Sequence, residues 1–269
     1  MAPPLQTSAF FSPGLGVHPT RQADIQRCLL CDQRDANLCS GLDKQGLAAL
    51  SQSSKRLVLP PGTTMVEEGE PAVSFFNVTQ GTVKLFKSLP DGRRQITGFA
   101  DPGQFLGLSA SDVYSFGAET VDTVQVCRFQ RPQLEALLSD FPVFERNLLT
   151  AVTDRLAEAQ EQMLLLGRKT AREKVATFLL DRLHAHDHAR ATAAARDHDD
   201  DSAPVTEHIA SVPMTRIDIA DYLGLTIETV SRTISALRRE QIIANMENHA
   251  IRILAPAVLR QIASGQQGG

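Results

Sequence analysis

The sequence lacks any apolar run near the ~20 residues that a helix needs to cross a bilayer, so we expect no membrane span. Residues 1–20 have neither a basic start nor an uninterrupted apolar core, so we do not expect them to be a secretory leader. These two absences predict a cytoplasmic protein. Proline, glycine, serine and threonine are frequent in residues 1–25, which predicts a flexible N-terminal arm.

Cysteine is scarce, with only four in 269 residues. Cys28, Cys31 and Cys39 form a C-x2-C-x7-C pattern, and Cys127 follows much later. Cysteines of cytoplasmic proteins are usually thiols, metal ligands or redox sensors rather than structural disulfides. Four soft thiolates suit an iron–sulfur cluster or zinc, and a thiol/disulfide switch is a further alternative.

The chain has no excess of positive charge, since its net charge is −4. After Gly167, however, Lys and Arg outnumber Asp and Glu once the acidic stretch at 184–210 is set aside. The distribution of charge matters more than its total for nucleic-acid binding. Composition therefore neither excludes nor establishes a DNA partner.

Short β-rich segments broken by glycine turns fill the chain between Leu42 and Phe129. Strands are predicted at Ser74–Thr79, Thr82–Ser88 and Arg94–Phe99. The residues PDGRR favour a hairpin between the last two, because Asp-Gly accepts the positive φ of a tight turn. Many strands at roughly ten-residue spacing predict a sandwich or jelly roll.

Residues 131–166 have few turn signals and many helix formers. Apolar residues recur there at strides of three and four, which is the heptad spacing of a coiled-coil seam. The seam consists of Leu149, Val152, Leu156, Ala159, Met163 and Leu166. A helix lying on its own domain is the alternative, but the regular stride between two differently textured halves favours a dimerisation helix.

Another amphipathic helix is predicted over residues 168–183. Histidine and aspartate are frequent in residues 184–210, but in no recognisable metal-ligand framework. The stretch is alanine-rich and low in complexity, which predicts a mobile loop rather than a metal site.

The residues MTRIDIADYLGLTIETVSRTISALRRE predict a helix-turn-helix. A short helix ends at the turn residue Gly224, and Thr226 caps a second helix running from Ile227 to Glu240. The following QIIANMENHAIRIL predicts two strands around an Asn-rich turn, which would form a wing. An ordinary helical hairpin is the alternative, and the glycine turn and the wing argue against it.

The outward face of the second helix carries the side chains suited to reading bases. Glu228 suits a cytosine amino group, Arg232 suits guanine O6 and N7, and Ser231 suits a base or a phosphate. Phosphate contacts, which add affinity but little sequence choice, are predicted for Arg216, Arg238 and Arg239.

The chain after residue 25 resembles the CRP/FNR family of bacterial transcription regulators. NVTQGTVKLFK and GQFLGL are similar to the family's sensory β-roll, and DIADYLGLTIETVSRTISALRREQII is similar to its DNA-binding signature. The resemblance implies an α+β fold: a cyclic-nucleotide-binding-like β-roll (jelly roll) over 26–130, a long dimerisation helix over 131–166 and a winged helix-turn-helix over 167–269. It also implies a homodimer that binds double-stranded DNA and works with RNA polymerase.

The positions of Glu228, Ser231 and Arg232 resemble the pattern of the FNR/FixK branch. That branch implies a palindrome similar to TTGAT-N4-ATCAA, with Glu228 and Arg232 reading the G·C pair of each half-site. The cysteine spacing resembles that of FNR homologues of alphaproteobacteria, although it departs from the shorter x5 gap of the enteric protein.

By the same resemblance, the cysteines would hold an oxygen-labile [4Fe–4S] cluster that favours the DNA-binding dimer at low oxygen. The ligands would be Cys28, Cys31, Cys39 and Cys127. A cluster-free regulator of this family, which uses thiol/disulfide chemistry or another signal, is the alternative.

Two further absences narrow the function. Residues 103–120 contain no arginine, whereas the cyclic-AMP branch of the family holds the ligand phosphate with an arginine in that stretch, so we expect no cyclic-nucleotide binding. The sequence also shows no catalytic constellation, so we expect no enzyme.

Overall fold

A computed structural model describes residues 26–35, 37–109, 111–194, 208–247 and 249–266. The arm predicted over 1–25 lies outside these residues. Among the described residues, no helix is both long and apolar enough to cross a membrane.

Two four-stranded antiparallel sheets form a β-roll, as the sequence predicts. Their strands are β1 (Ser54–Leu59), β2 (Thr64–Val66), β3 (Ser74–Gln80), β4 (Val83–Ser88), β5 (Arg94–Ala100), β6 (Phe105–Leu106), β7 (Gly117–Thr120) and β8 (Val124–Gln130). One sheet has the order β1-β8-β3-β6 and the other β2-β7-β4-β5. The predicted hairpin joins β4 to β5, where Ser88 pairs with Arg94 and Gly92 has a φ of 86°.

The roll has a core on each side of the β1-β8-β3-β6 sheet. Val78, Val83 and Val126 are fully buried in a cluster that joins this sheet to the other one. Side chains alternate between the two faces of a strand, so Phe75, Cys127 and Phe129 belong to the opposite face. They pack there against helices and against the segment that carries the other cysteines.

Three helices cover this outer face: α1 (Lys44–Ser53), α2 (Arg131–Asp140) and α3 (Pro142–Arg168). The single helix predicted over 131–166 is therefore wrong in one respect, because it is two helices separated at Phe141. Pro142 accounts for the break, since proline disfavours a helical residue before it and suits the first turn of a new helix.

The helix α4 (Ala171–Ala194) continues well beyond the predicted end at residue 183. The expected mobile loop over 184–210 is thus wrong for residues 184–194, whose alanines are strong helix formers. Residues 195–207 lie outside the described part of the chain, and β9 (Ile209–Ser211) follows them.

The C-terminal domain is the predicted winged helix-turn-helix. It consists of α5 (Arg216–Leu223), α6 (Ile227–Arg239), the wing strands β10 (Ile243–Asn245) and β11 (Ala250–Ile253), and α7 (Pro256–Ala263). Gly224 ends α5 in the left-handed conformation, with a φ of 60°, and Thr226 caps α6 by accepting from the Thr229 N–H.

Ion pairs and ring contacts join α4 and the C-terminal domain to the roll. Arg182 of α4 forms a two-pronged ion pair with Asp101, at 2.7 and 2.9 Å. Lys84 of β4 lies 2.8 Å from Asp218, the residue that completes the capping box of α5. Phe99 of β5 lies in the same buried cluster as the helix-turn-helix core. These contacts fix where α6 sits relative to the roll.

Candidate thiol site and DNA-binding surface

The four cysteines line one cavity, although they come from two distant parts of the sequence. Residues 26–29 form a helical turn bearing Cys28, a 3₁₀ turn (Asn37–Cys39) bears Cys39, and β8 presents Cys127 from the sheet below. None of these four described cysteines is in a disulfide, and each is partly buried. The structure therefore brings the predicted ligand set together.

The thiols influence one another electrostatically. Burial and the neighbouring thiols of Cys127, Cys31 and Cys28 raise the pKa of Cys39. Burial, with Cys28 and Cys31, raises the pKa of Cys127 to about 12 despite a lowering effect of Arg56. The thiols of Cys39 and Cys127 therefore stay protonated by themselves, and binding of a metal would require them to ionise, because metal ligation requires the thiolate.

The cavity between the thiols has a volume that can be compared with the space needed by one metal ion or one water. No group of three or more His, Cys, Asp or Glu within the described ranges stands close enough to hold a metal ion, whereas tetrahedral zinc needs sulfurs at ~2.3 Å. The cavity has a volume of ≈ 60 Å³, and one water needs about 10–15 Å³. The thiols therefore surround room for a group larger than one ion.

The cysteine segment also contacts the N-terminal part of α3. Asn147 Nδ2 donates to the carbonyls of Leu38 (3.3 Å) and Ser40 (2.7 Å), which flank Cys39. Leu38 is 1% exposed and shares a buried cluster with Phe144 and Leu148 of α3. The position of Cys39 is thus tied to that of α3.

The exposed side of α3 bears large apolar side chains. The exposed fractions are 66% for Leu149, 43% for Val152, 60% for Leu156, 65% for Met163 and 58% for Leu164. Ala159 is exposed on the same helix. Leu166 departs from the predicted seam: it is half-buried against the C-terminal core and contacts the turn at Gly224.

The base-reading residues predicted on α6 lie on its accessible side. Glu228 and Arg232 are exposed and Ser231 is half-buried. Hydrogen bonds from its own backbone N–H and from Thr226 lower the pKa of Glu228, so the carboxylate is ionised and accepts hydrogen bonds. Arg232 Nε donates to the Glu228 carbonyl at 3.3 Å, and the two residues lie one helical turn apart.

The arginines predicted to contact phosphate flank the same surface. Arg238 and Arg239 are exposed at the C-terminal end of α6. Partial burial and the nearby positive charge of Arg238 lower the pKa of Arg216, so the two arginines lie close enough to repel each other. Such a concentration of positive charge suits a phosphate backbone.

Several structurally important residues were not predicted from the sequence. Arg172 borders the α6 surface, but Glu240 pairs with its guanidinium. Asn147, Asn77 and Arg56 all lie at or beside the thiol cavity. The polar Asn77 within the apolar stretch SFFNV is a signal that the sequence does contain.

Comparison with known proteins agrees with this arrangement. Residues 56–141 match the family model of the cyclic nucleotide-binding domain, and residues 173–262 match that of the Crp-like helix-turn-helix domain. The chain is 38% identical to the nitrogen fixation regulation protein FixK of Bradyrhizobium diazoefficiens, over 88% of this chain and 94% of the relative. The chain belongs to the CRP/FNR family of transcription regulators.

Other CRP/FNR proteins extend the comparison. The transcriptional activator protein FnrL of Cereibacter sphaeroides is 33% identical over 91% of this chain and 95% of the relative. The solved structure of FixK2 from Bradyrhizobium japonicum is 32% identical, with a TM-score of 0.67 over 78% of this chain and 96% of that one. Our chain is accordingly a DNA-binding transcriptional activator of the FNR/FixK type and not an enzyme.

Proposed function

We propose that this activator responds to oxygen through a [4Fe–4S] cluster held by Cys28, Cys31, Cys39 and Cys127. The observation that carries the proposal is the single cavity that all four thiols line. Two points support the fit: the soft donor set and a cavity volume well above that of one water. A bound cluster would supply the reactivity toward oxygen and would join the N-terminal segment to β8.

The chain's own residues would carry the state of this site to the dimerisation helix. Cys39 lies between the two carbonyls that Asn147 holds, and Leu149 opens the apolar face of α3 two residues later. When a shared bound group joins the three N-terminal thiols to Cys127, the segment that carries these thiols would hold the start of α3 in one position. When that group is lost, the segment would keep only its own contacts with α3.

The exposed apolar face of α3 is proposed as the surface that pairs with a second copy of the chain. Five large apolar side chains on one helix are costly to leave in water. Four of them, Leu149, Val152, Leu156 and Met163, have the heptad spacing that suits the same helix of a partner. In such a dimer the two α6 helices would reach successive major grooves, ~34 Å apart. A palindrome similar to TTGAT-N4-ATCAA is the proposed target, and RNA polymerase is the proposed partner at the promoter.

Cyclic nucleotides are not the proposed signal. A cleft between β6 and α3 is lined by Gln104, Asp154, Arg155 and Glu158. Arg155 already donates to the Phe99 carbonyl and to Glu158. A cyclic phosphate there would face two carboxylates, and we expect titration with cyclic AMP to show no saturable binding.

Iron and sulfide analysis of anaerobically purified protein tests the proposed cluster. We expect about four of each per chain, a brown colour and bleaching in air. Cys127→Ala should lose the iron, whereas an exposed variant such as Thr150→Val should keep it. A colourless wild-type protein that binds its DNA equally with and without oxygen would overturn the proposal and favour the thiol-based alternative.

A further inference from the structure

Asn77 is the one described side chain at the thiol cavity that has a buried amide oxygen without a partner. It lines the cavity, is 4% exposed, and its Oδ1 accepts no hydrogen bond within the described chain. Buried polar atoms are nearly always paired, because an unpaired one has lost its water without compensation. An apolar residue would fill this strand position without that penalty. The position therefore suggests a hydrogen-bond partner from outside the described residues.

The sheet register places Asn77 beside Cys127. Asn77 on β3 and Arg56 on β1 are the Cα partners of Cys127 on the two sides of β8. Directly paired residues share one face of a sheet, so all three belong to the face that meets the cavity. Of the two neighbours, Arg56 is exposed and its Nη2 donates to Gln125, whereas Asn77 is buried.

The chemistry of the proposed site selects which end of the amide is used. Thiolates and sulfides bound to iron accept hydrogen bonds and donate none. A half-turn of the terminal amide exchanges its oxygen and nitrogen, which have nearly the same shape. The Nδ2 group then occupies the position that now lacks a partner.

We propose that Asn77 donates a hydrogen bond to sulfur at the Cys127 corner of the site and so sets the reduction potential of the bound cluster. The inference rests on the proposed cluster. Hydrogen bonds to cluster sulfurs stabilise the more reduced, more negative state and raise the potential. Asn77 is thus a positioning residue that acts on Cys127 and its bound group, and it is not a ligand.

The test is a redox titration of the reconstituted, full-length protein and its variants. Asn77→Leu removes the amide at similar size, and Asn77→Ser keeps a shorter donor. Thr79→Val is the matched control, because Thr79 also lines the cavity but its hydroxyl already donates to the Gln125 carbonyl at 3.1 Å. We expect Asn77→Leu to lower the potential by a tenfold change in the oxidised-to-reduced ratio, ~59 mV for one electron.

A vibrational signature provides the second readout. The iron–sulfur stretching bands of the wild type should shift in heavy water, and this shift should persist in Thr79→Val and disappear in Asn77→Leu. The Asn77→Ser potential should fall between those of the wild type and Asn77→Leu.

The outcomes separate the inference from the function on which it rests. If the wild type holds iron and sulfide but the Asn77 variants keep its potential and its isotope shift, the role of Asn77 is refuted and the cluster stands. If Asn77→Leu loses its iron, Asn77→Ser is compared with the control Thr79→Val instead. A potential and an isotope shift in Asn77→Ser that equal those of the control would then refute the role of Asn77. If the wild type itself takes up no iron on reconstitution, the proposed cluster fails and the role of Asn77 fails with it.

Discussion

We propose that individual side chains on α6 divide into those that select a DNA sequence and those that add affinity for any sequence. Glu228 is ionised and exposed near the N-terminal end, one turn from Arg232, where base edges are within reach. Arg238 and Arg239 are exposed at the other end of the helix, where phosphates pass. The two groups should respond differently to mutation.

Glu228→Ala should relax discrimination at one base pair of each half-site by about 1–3 kcal/mol, because the carboxylate that accepts from the base is lost. Binding to the palindrome and to singly substituted palindromes, measured by fluorescence anisotropy, checks this. Arg238→Ala is the control: it should weaken binding to all sequences alike and reduce the salt dependence. Equal losses of Glu228→Ala on every sequence would contradict base reading by this residue.

The helix α3 combines two roles on different sides. One side holds the carbonyls next to Cys39 through Asn147 and buries Phe144 and Leu148, and the other side exposes the apolar face that includes Leu156. A change at the thiol site therefore has a short physical route to the proposed dimer surface.

Leu156→Glu should prevent dimerisation, because it places a charge in the middle of the apolar face. We expect a monomer in sedimentation under anaerobic conditions and an affinity for the palindrome lower by at least tenfold, about 1.4 kcal/mol. Leu89→Glu, at an exposed apolar position in the β4–β5 hairpin, should leave the dimer intact. A Leu156→Glu protein that remains dimeric would show that another surface forms the dimer.

Asn147→Leu should weaken the coupling between the thiol site and α3, because two hydrogen bonds to the cysteine segment are lost. At about 1 kcal/mol for each of the two bonds, the ratio of anaerobic to aerobic DNA affinity should fall by up to roughly thirtyfold while iron content is unchanged. Thr150→Val, which removes only a bond to the Arg146 carbonyl, should keep the wild-type ratio. An unchanged ratio in Asn147→Leu would remove Asn147 from the coupling.

At the scale of helices and strands, the sequence predicted the features that depend on residues adjacent in the chain. The hairpin at PDGRR, the cap at Thr226 and the turn at Gly224 depend on residues next to one another, and all three were predicted correctly. The end of α4 was missed because a histidine- and alanine-rich stretch reads as low complexity. The roles of Asn147 and Asn77 were not predicted, because they depend on contacts with segments that are far away in the sequence.

At the scale of the whole molecule, buried polar contacts join the roll to the C-terminal domain beside the shared apolar cluster. Asp101 and Arg182 form a largely buried ion pair, with side chains 16% and 8% exposed. Lys84 joins Asp218 to Glu119 at 2.8 and 2.9 Å. These pairs fix the orientation of the DNA-binding domain. They could not be predicted from a sequence pattern, because the paired residues are up to 134 positions apart.

Asp101→Asn should lower the free energy of unfolding by about 3–5 kcal/mol, because it leaves the Arg182 guanidinium buried without its counter-charge. Urea unfolding followed by circular dichroism measures this difference. Asp91→Asn, which breaks the exposed pair with Arg93, should cost no more than about 1 kcal/mol. Equal effects of the two substitutions would show that the buried pair does not stabilise the domain arrangement.

We propose that occupancy of the four-cysteine site controls DNA binding. The most direct test is the affinity of one anaerobically purified preparation for its palindrome, measured before and after exposure to air, with iron content followed in parallel. We expect tight binding that weakens as iron is lost, and weak binding by Cys127→Ala both before and after exposure to air. Tight binding that persists after the iron has gone would contradict the proposal.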